Sequence, residues 1–215
     1  MLKNFEYKYP FETLSRIESK VSVSRLANGE EAERFAFTAK PSFMIEGGMT
    51  AAETGTALHH VMQYISFEDG INVESEIETL KEWRYITEAE ADAVSIPAIS
   101  KFFESDIFKA IKRSSDVRRE MRFLTEVPVT DIDPEADVPK GTGVLIQGAV
   151  DLCFTENDSV TVLDFKTDRV DDMKTLKDRY FEQLSIYSKA CEKIFALPVK
   201  KRIVYSFHLS DYIVF

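Results

Sequence analysis

The sequence predicts an α/β fold, with a helical first half leading into a sheet-containing second half. Three observations carry this. Apolar residues recur at helical spacing between residues 54 and 113. From residue 117 the pattern changes to β-branched and aromatic runs bounded by turn residues. One long amphipathic stretch, 178–196, then separates three strands from two more. The order helices, three strands, helix, strands suits a central sheet flanked by helices.

Each element follows from its local pattern. Residues 1–20 are polar with aromatics at Phe5, Tyr7, Tyr9 and Phe11, and show no period. "SKVSVSRLANGE" reads as a short extended piece running into a helix or turn. Residues 28–50 are charged, then glycine-rich at Gly47 and Gly48, and read as a loop. "TGTALHHVMQYISF" (54–67) is a helix with Leu58, Val61, Met62 and Ile65 on one stripe, and Thr54 or Thr56 as its cap. "NVESEIETLKEWRYI" and "TEAEADAVSIPAISKFFESDIFKAIKR" give two or three further helices. Asn72 and Thr87 are their N-caps, and Glu90 completes a capping box with Thr87. "DVRREMRFLTEVPV" is a strand, followed by an acidic loop over 130–143. That loop alternates acids as a calcium loop does. It lacks the glycine at the sixth position and the later glutamate, so it reads as a solvated connection. "GVLIQGAVDLCFTEND" and "SVTVLDFKTD" form a hairpin turning near Glu156–Ser159. "DRYFEQLSIYSKACEKIF" is a helix buried through Tyr180, Leu184, Tyr187, Cys191 and Ile194. "KKRIVYSFHLS" and "DYIVF" are the last strands.

Composition narrows the function. A chain of 215 residues suits one large domain or two small ones. No apolar run approaches the roughly 20 residues that span a bilayer. The N-terminus, "MLKNFEYKYPFETL", lacks the apolar core of a signal peptide. A cytoplasmic protein is expected. Cys153 and Cys191 lie in apolar patterns and read as buried thiols; two cysteines cannot supply a four-thiolate zinc or iron–sulfur site. The net charge of −10 argues against a protein that coats nucleic acid, but not against an enzyme that brings phosphate to carboxylates through a metal ion. The dense basic run 109–122 (Lys109, Lys112, Arg113, Arg118, Arg119, Arg122) reads equally as a phosphate track or as a solvated helix end and edge strand.

Three groups of residues have chemical potential. In "VTVLDFKTD", Asp164 and Lys166 share one strand face. Asp151 lies in the apolar run "VLIQGAVDLCF" on the preceding strand, where a carboxylate is costly unless paired or metal-bound. Across a hairpin the two acids approach, and either a cation or Lys166 must offset them. A structural salt-bridge network fits these residues too. His59 falls at the edge of the apolar stripe of its helix and His60 on the solvent side, so His59 is either a cleft ligand or a satisfied core-edge histidine. Gln183 and Tyr187 are four apart on one helix flank and serve either packing or phosphate contact.

The ordered set G-T-x-x-H (Gly55, Thr56, His59), G-x-x-D (Gly148, Asp151), D-x-K (Asp164, Lys166) and Q-x-x-x-Y (Gln183, Tyr187) resembles the RecB-family branch of the PD-(D/E)XK nucleases. "YKYPF", "SVSRL", "GTALHHVMQ", "IQGAVDLCF", "LDFKTDRV" and "QLSIYSKA" together resemble the C-terminal nuclease domain found in the AddA/RexA-type chains of AddAB (RexAB) helicase–nucleases. Each motif is weak alone; four in order, each on the expected element, are specific.

The resemblance implies a restriction-endonuclease-like core. Its mixed sheet spans 117–215, flanked by helices at 54–66 and 178–196, with the helices at 74–113 as an insert. It implies one nuclease domain over 1–215: a linker and loop at 1–53, a helical part at 54–113, and the core. It also implies roles. His59, Asp151 and Asp164 would bind Mg²⁺ or Mn²⁺, with the Phe165 carbonyl as a further ligand and Glu120 in support. Lys166 would orient or deprotonate the attacking water, and Gln183 and Tyr187 would position DNA. His60 departs from the family pattern and receives no role. The chain holds no G-x-x-x-x-G-K-[ST] loop, so any ATP is used by a helicase motor outside it. The chain is then expected to be a fragment of a longer polypeptide acting with an AddB/RexB-type partner. The expected function is exonucleolytic hydrolysis of single-stranded DNA in double-strand-break processing. The rival is a non-catalytic DNA-binding or subunit-docking module that retains the fold.

Overall fold

The computed structural model describes residues 19–28, 49–133 and 135–215. The aromatic N-terminal stretch before Ser19 and most of the loop expected over 28–50 lie outside the described residues. No helix among the described residues is long and apolar enough to cross a membrane.

The spine of the sheet is β3, Gly143–Thr155. Along one edge it pairs antiparallel with β2, Val117–Pro128. Its other edge is shared by two strands. β1, Lys20–Ser22, runs parallel to residues 145–147, and β4, Val160–Lys166, runs antiparallel to residues 152–155. β4 then pairs parallel with β5, Val199–Ser206, which pairs antiparallel with β6, Asp211–Val214. The sheet is therefore mixed, as expected, but gains a sixth strand from before residue 117. Three residues are too few to show a period, and their partner lies far along the chain, so only the extended character of this strand was legible.

The β3–β4 hairpin turns at the expected place. Asn157 and Asp158 both have positive φ (46° and 56°), the conformation a two-residue type I′ turn requires. β4 is buried along almost its whole length, which its near-continuous apolar run reflects. Leu163 and Phe165 enter one core, and Val160 and Val162 the other.

On the first face lie α2 (Ala51–Tyr64), α3 (Val73–Glu82), α4 (Glu88–Ala93), α5 (Ile96–Glu104) and α6 (Asp106–Arg113). These helices and the face they cover share one apolar cluster. Phe102 stands at its aromatic centre, edge-on to Phe165 and Tyr205 at centroid distances of 5.3 and 5.1 Å. α2 begins earlier than the expected residue 54, because Thr50 and Glu53 form a full capping box ahead of it. The Thr56 hydroxyl instead donates to the Ala52 carbonyl. Asn72 and Thr87 cap as expected, and Glu90 completes the Thr87 box. Four helices occupy the stretch expected to hold two or three. The hydroxyls of Ser95 and Ser105 accept from the Ala98 and Phe108 N–H groups and break the run twice.

The second face carries α7, Met173–Phe195, and the short α1, Val23–Asn28. α7 starts five residues before the expected 178 because Asp172 accepts from the Thr175 N–H. Leu176, Tyr180, Leu184, Tyr187 and Cys191 form its buried stripe. Ile194, expected on that stripe, is 44% exposed in the last turn, just before Ala196 ends the helix in the left-handed conformation. Cys153 and Cys191 are free, buried thiols in this core.

Gly148, between β1 and β4 on the β3 edge, is fixed by close approach. A Cβ there would lie 2.8 Å from Phe123 Cζ and 2.9 Å from Val23 Cγ2, both in buried side chains. Gly148→Ala is expected to lower unfolding stability by about 1–3 kcal/mol through overpacking. A urea titration should show a lower midpoint at unchanged m-value.

Candidate metal centre

β2 and β3 pair in one register from end to end, except at a single row. Arg119 pairs with Leu152 and Met121 with Val150, which leaves Glu120 and Asp151 facing each other without a ladder pair. Both strands switch faces there. Phe123, Ile146 and Val150 enter the core beneath α7, whereas Leu152 and Phe154 enter the core beneath α2. Glu120 takes φ +47° to make the switch, a conformation costing a non-glycine residue on the order of 1 kcal/mol or more. The β3–β4 ladder ends at the same level, with Leu152 opposite Leu163. Asp151 and Asp164 follow one residue beyond that last pair. The Asp151 carboxylate accepts from the Phe165 N–H at 2.7 Å, replacing a ladder bond.

α2 brings His59 to this row. Gly55, one turn earlier, lets the helix lie against the turn after β4; a Cβ there would be 3.1 Å from Thr167 Oγ1. The far end of α2 is held by Arg119, which donates to the carbonyls of Met62 and Ile65 and lies 4.4 Å from the Phe67 ring centroid. The residue beside the β2 distortion thus anchors the helix that carries the histidine. His59 Nδ1 lies 3.2 Å from Asp151 Oδ1 and 4.0 Å from Glu120 Oε1. His59, Glu120 and Asp151 each offer one ligand atom within 4.8 Å of the others.

Asp164 and Lys166 share a strand face, turned towards α7. Asp164 is 1% exposed, and its Oδ2 lies 2.6 Å from Lys166 Nζ. That contact is an ion pair without hydrogen-bond alignment, so Oδ2 has no hydrogen bond. Lys166 Nζ also sits 4.2 Å from the Tyr180 ring centroid, and the Tyr180 hydroxyl donates to Asp168. Gln183 Nε2 donates to the Tyr187 hydroxyl at 2.8 Å and approaches Asp164 Oδ1 at 3.5 Å. Both Gln183 and Tyr187 are buried behind Asp164.

The electrostatics are those of a site short of positive charge. Burial raises the Asp164 carboxyl to about 6 against the pull of Lys166, with Asp151 adding to the rise. Burial and the neighbouring Asp151 also raise Glu120. Burial would raise Asp151 too, but the His59 ring, Lys166 and the Phe165 N–H hold it below the usual carboxylate range. Burial would lower His59, yet the Asp151 carboxylate outweighs it and lifts the imidazole above its ordinary value. Lys166 is raised because Asp164 and Asp151 outweigh its burial. Three carboxylates, one imidazole and one unbonded buried oxygen fit a divalent cation that favours oxygen ligands and accepts one nitrogen.

The structure thus draws His59, Glu120 and Asp151 together, places Asp164 beside them on Lys166, and puts Gln183 and Tyr187 behind that pair. The anchoring role of Arg119 was not legible, because the basic run showed charge but not the register that aims it. Four of its six cations are committed internally: Lys109 to Asp106, Lys112 to Asp69, Arg118 to Asp116, and Arg119 to the end of α2. His60 is exposed and bonds Glu90 through Nδ1 at 2.7 Å.

A family model described as the PD-(D/E)XK nuclease superfamily matches residues 20–210. Among curated proteins, the AddA-type chain of the ATP-dependent helicase/nuclease of Clostridium kluyveri is 36% identical over 98% of this chain and 18% of that protein. The protein of the same description from Bacillus mycoides is 32% identical over 94% of this chain and 18% of its own length. That from Clostridium botulinum is 32% identical over 98% and 18%. The chain spans about a fifth of the length of these relatives.

Metal binding should stabilise the fold and compete with a proton. Mn²⁺ at about 100 times its Kd should add about 2.7 kcal/mol, seen as a higher melting temperature, and Asp151→Asn should remove the gain. Because a protonated His59 cannot ligate, affinity in titration calorimetry should fall as pH drops through a midpoint above about 6.5.

Proposed function

Because the chain belongs to the PD-(D/E)XK nuclease superfamily, we propose that it hydrolyses DNA phosphodiester bonds with Mg²⁺ or Mn²⁺. The observation that carries this reading is the His59–Glu120–Asp151 cluster beside a buried aspartate–lysine pair. When bound, such an ion shields phosphate charge and lowers the pKa of a water.

The chain's own residues supply the rest. His59, Glu120 and Asp151 hold the ion, and Asp164 and the Phe165 carbonyl complete its shell. Lys166, braced by Asp164 and the Tyr180 ring, orients the attacking water and assists its deprotonation. Gln183 and Tyr187 fix Asp164 from behind and through it position the DNA phosphate. None of these groups reads a base, which suits degradation of varied sequences. With two buried cysteines, the chain itself supplies no four-thiolate iron–sulfur site.

The relatives, described as ATP-dependent helicase/nuclease proteins, extend the proposal. The chain acts as the nuclease part of a longer helicase–nuclease in the cytoplasm. Its motor uses the ATP and feeds it a single strand, and an AddB/RexB-type protein is its partner in double-strand-break processing. The docking-module alternative has no observation in its favour, since every acid and the lysine are in place.

Asp164→Ala should abolish DNA cleavage with either ion, and unchanged cleavage would rule out this site. Lys166→Ala should lower kcat by about 10²–10⁴-fold while Mn²⁺ binding persists.

A further inference from the structure

The face switch at Glu120 and Asp151 leaves a second feature. Beyond it, the sheet face that carries the metal centre continues without helices over it among the described residues. Arg122 pairs with Ala149, Leu124 with Gln147, and Glu126 with Leu145, while β1 adds Lys20 beside Leu145. The intervening residues Phe123, Val127, Val144 and Ile146 are buried on the opposite face, so this set points away from α7. Leu124 is 59% exposed and Leu145 38%. Arg122 makes no ion pair among the described residues, unlike Arg118 and Arg119 on the same strand, which are held by Asp116 and by the end of α2.

We propose that this uncovered sheet face is the bed of the substrate strand, with Arg122 as the phosphate contact next to the metal centre. The inference rests on the nuclease reading above and adds to it a path and a residue. Arg122 follows Glu120 by two residues, roughly 7 Å along β2, so one strand spans both. Its guanidinium is the uncommitted cation nearest the acids among the described residues and suits a phosphate oxygen bidentately. Leu124 and Leu145 offer apolar contact without a ring for stacking, and Gln147 offers a neutral donor. Lys20 extends the cationic line to the far rows, where Glu126 is the opposing charge. Such a bed holds backbone and sugar and does not select sequence.

The test is the salt dependence of binding to a fluorescent oligothymidylate by the chain, with divalent ions omitted so that the strand stays intact. Arg122→Gln should weaken binding about tenfold and flatten the slope of log affinity against log salt by about 0.7, the share of one phosphate on a single strand. Arg122→Lys should keep the slope, and Leu124→Glu should weaken binding by placing a like charge on the bed. Mn²⁺ affinity, read by electron paramagnetic resonance, should not change in any of these variants. Equal affinity and slope in wild type and Arg122→Gln would overturn the inference. So would a flattened slope accompanied by failure to bind Mn²⁺, which would place the guanidinium in the metal centre. The nuclease reading fails separately, if the wild type binds the strand but shows no Mn²⁺-dependent cleavage.

Discussion

Every distance at the candidate centre depends on one unpaired row in the β2–β3 ladder. A continuous antiparallel pair would send alternate side chains to opposite faces and leave Glu120 and Asp151 unable to converge on a helix. The left-handed Glu120 breaks that alternation, and the Phe165 N–H bond to Asp151 secures the break from the β4 side. The strain is held because the surroundings determine it from several directions. Long ladders run on both sides of the row, Gly148 fits tightly against Phe123 and Val23, and Arg119 ties the row to the end of α2. Rigid elements thus hold the acids, and no loop is asked to do so.

The same convergence creates the electrostatic problem that gives the centre its chemistry. Three carboxylates, Glu120, Asp151 and Asp164, face two basic groups, His59 and Lys166, in surroundings that exclude water. Burial lifts Asp164 and Glu120, while His59 and Lys166 are drawn up by their acidic neighbours. In the metal-free protein its own cations answer this shortage, through the 2.6 Å Lys166–Asp164 contact and the 3.2 Å His59–Asp151 contact. A divalent ion answers it better and frees Lys166 for the water.

Much of this was legible in the sequence because it is local. The I′ turn at Asn157–Asp158, the Thr87–Glu90 box and the stripe on α7 are each set by residues within a few positions. Asp164 and Lys166 share a face by simple alternation, and Asp151 stood out as a carboxylate in an apolar run. What escaped depends on pairing over long distances. β1 joins the sheet through three residues whose partners lie over 100 positions away, and no pattern in "SVSRL" announces that. The weight of Glu120 in the cluster follows from a departure from alternation, which pattern reading assumes away. The serines that divide the helical stretch are local signals, and were missed because an unbroken apolar rhythm masked them.

Whether the unpaired row holds a metal can be read by anomalous diffraction from crystals soaked in Mn²⁺. One strong peak is expected between α2 and the β2–β3 distortion, about 2.0–2.2 Å from His59 and from Asp151, with the ion standing between these two side chains. A peak only on exposed acids such as those of the 130–143 loop, with His59 and Asp151 still 3.2 Å apart, would contradict the metal centre described above.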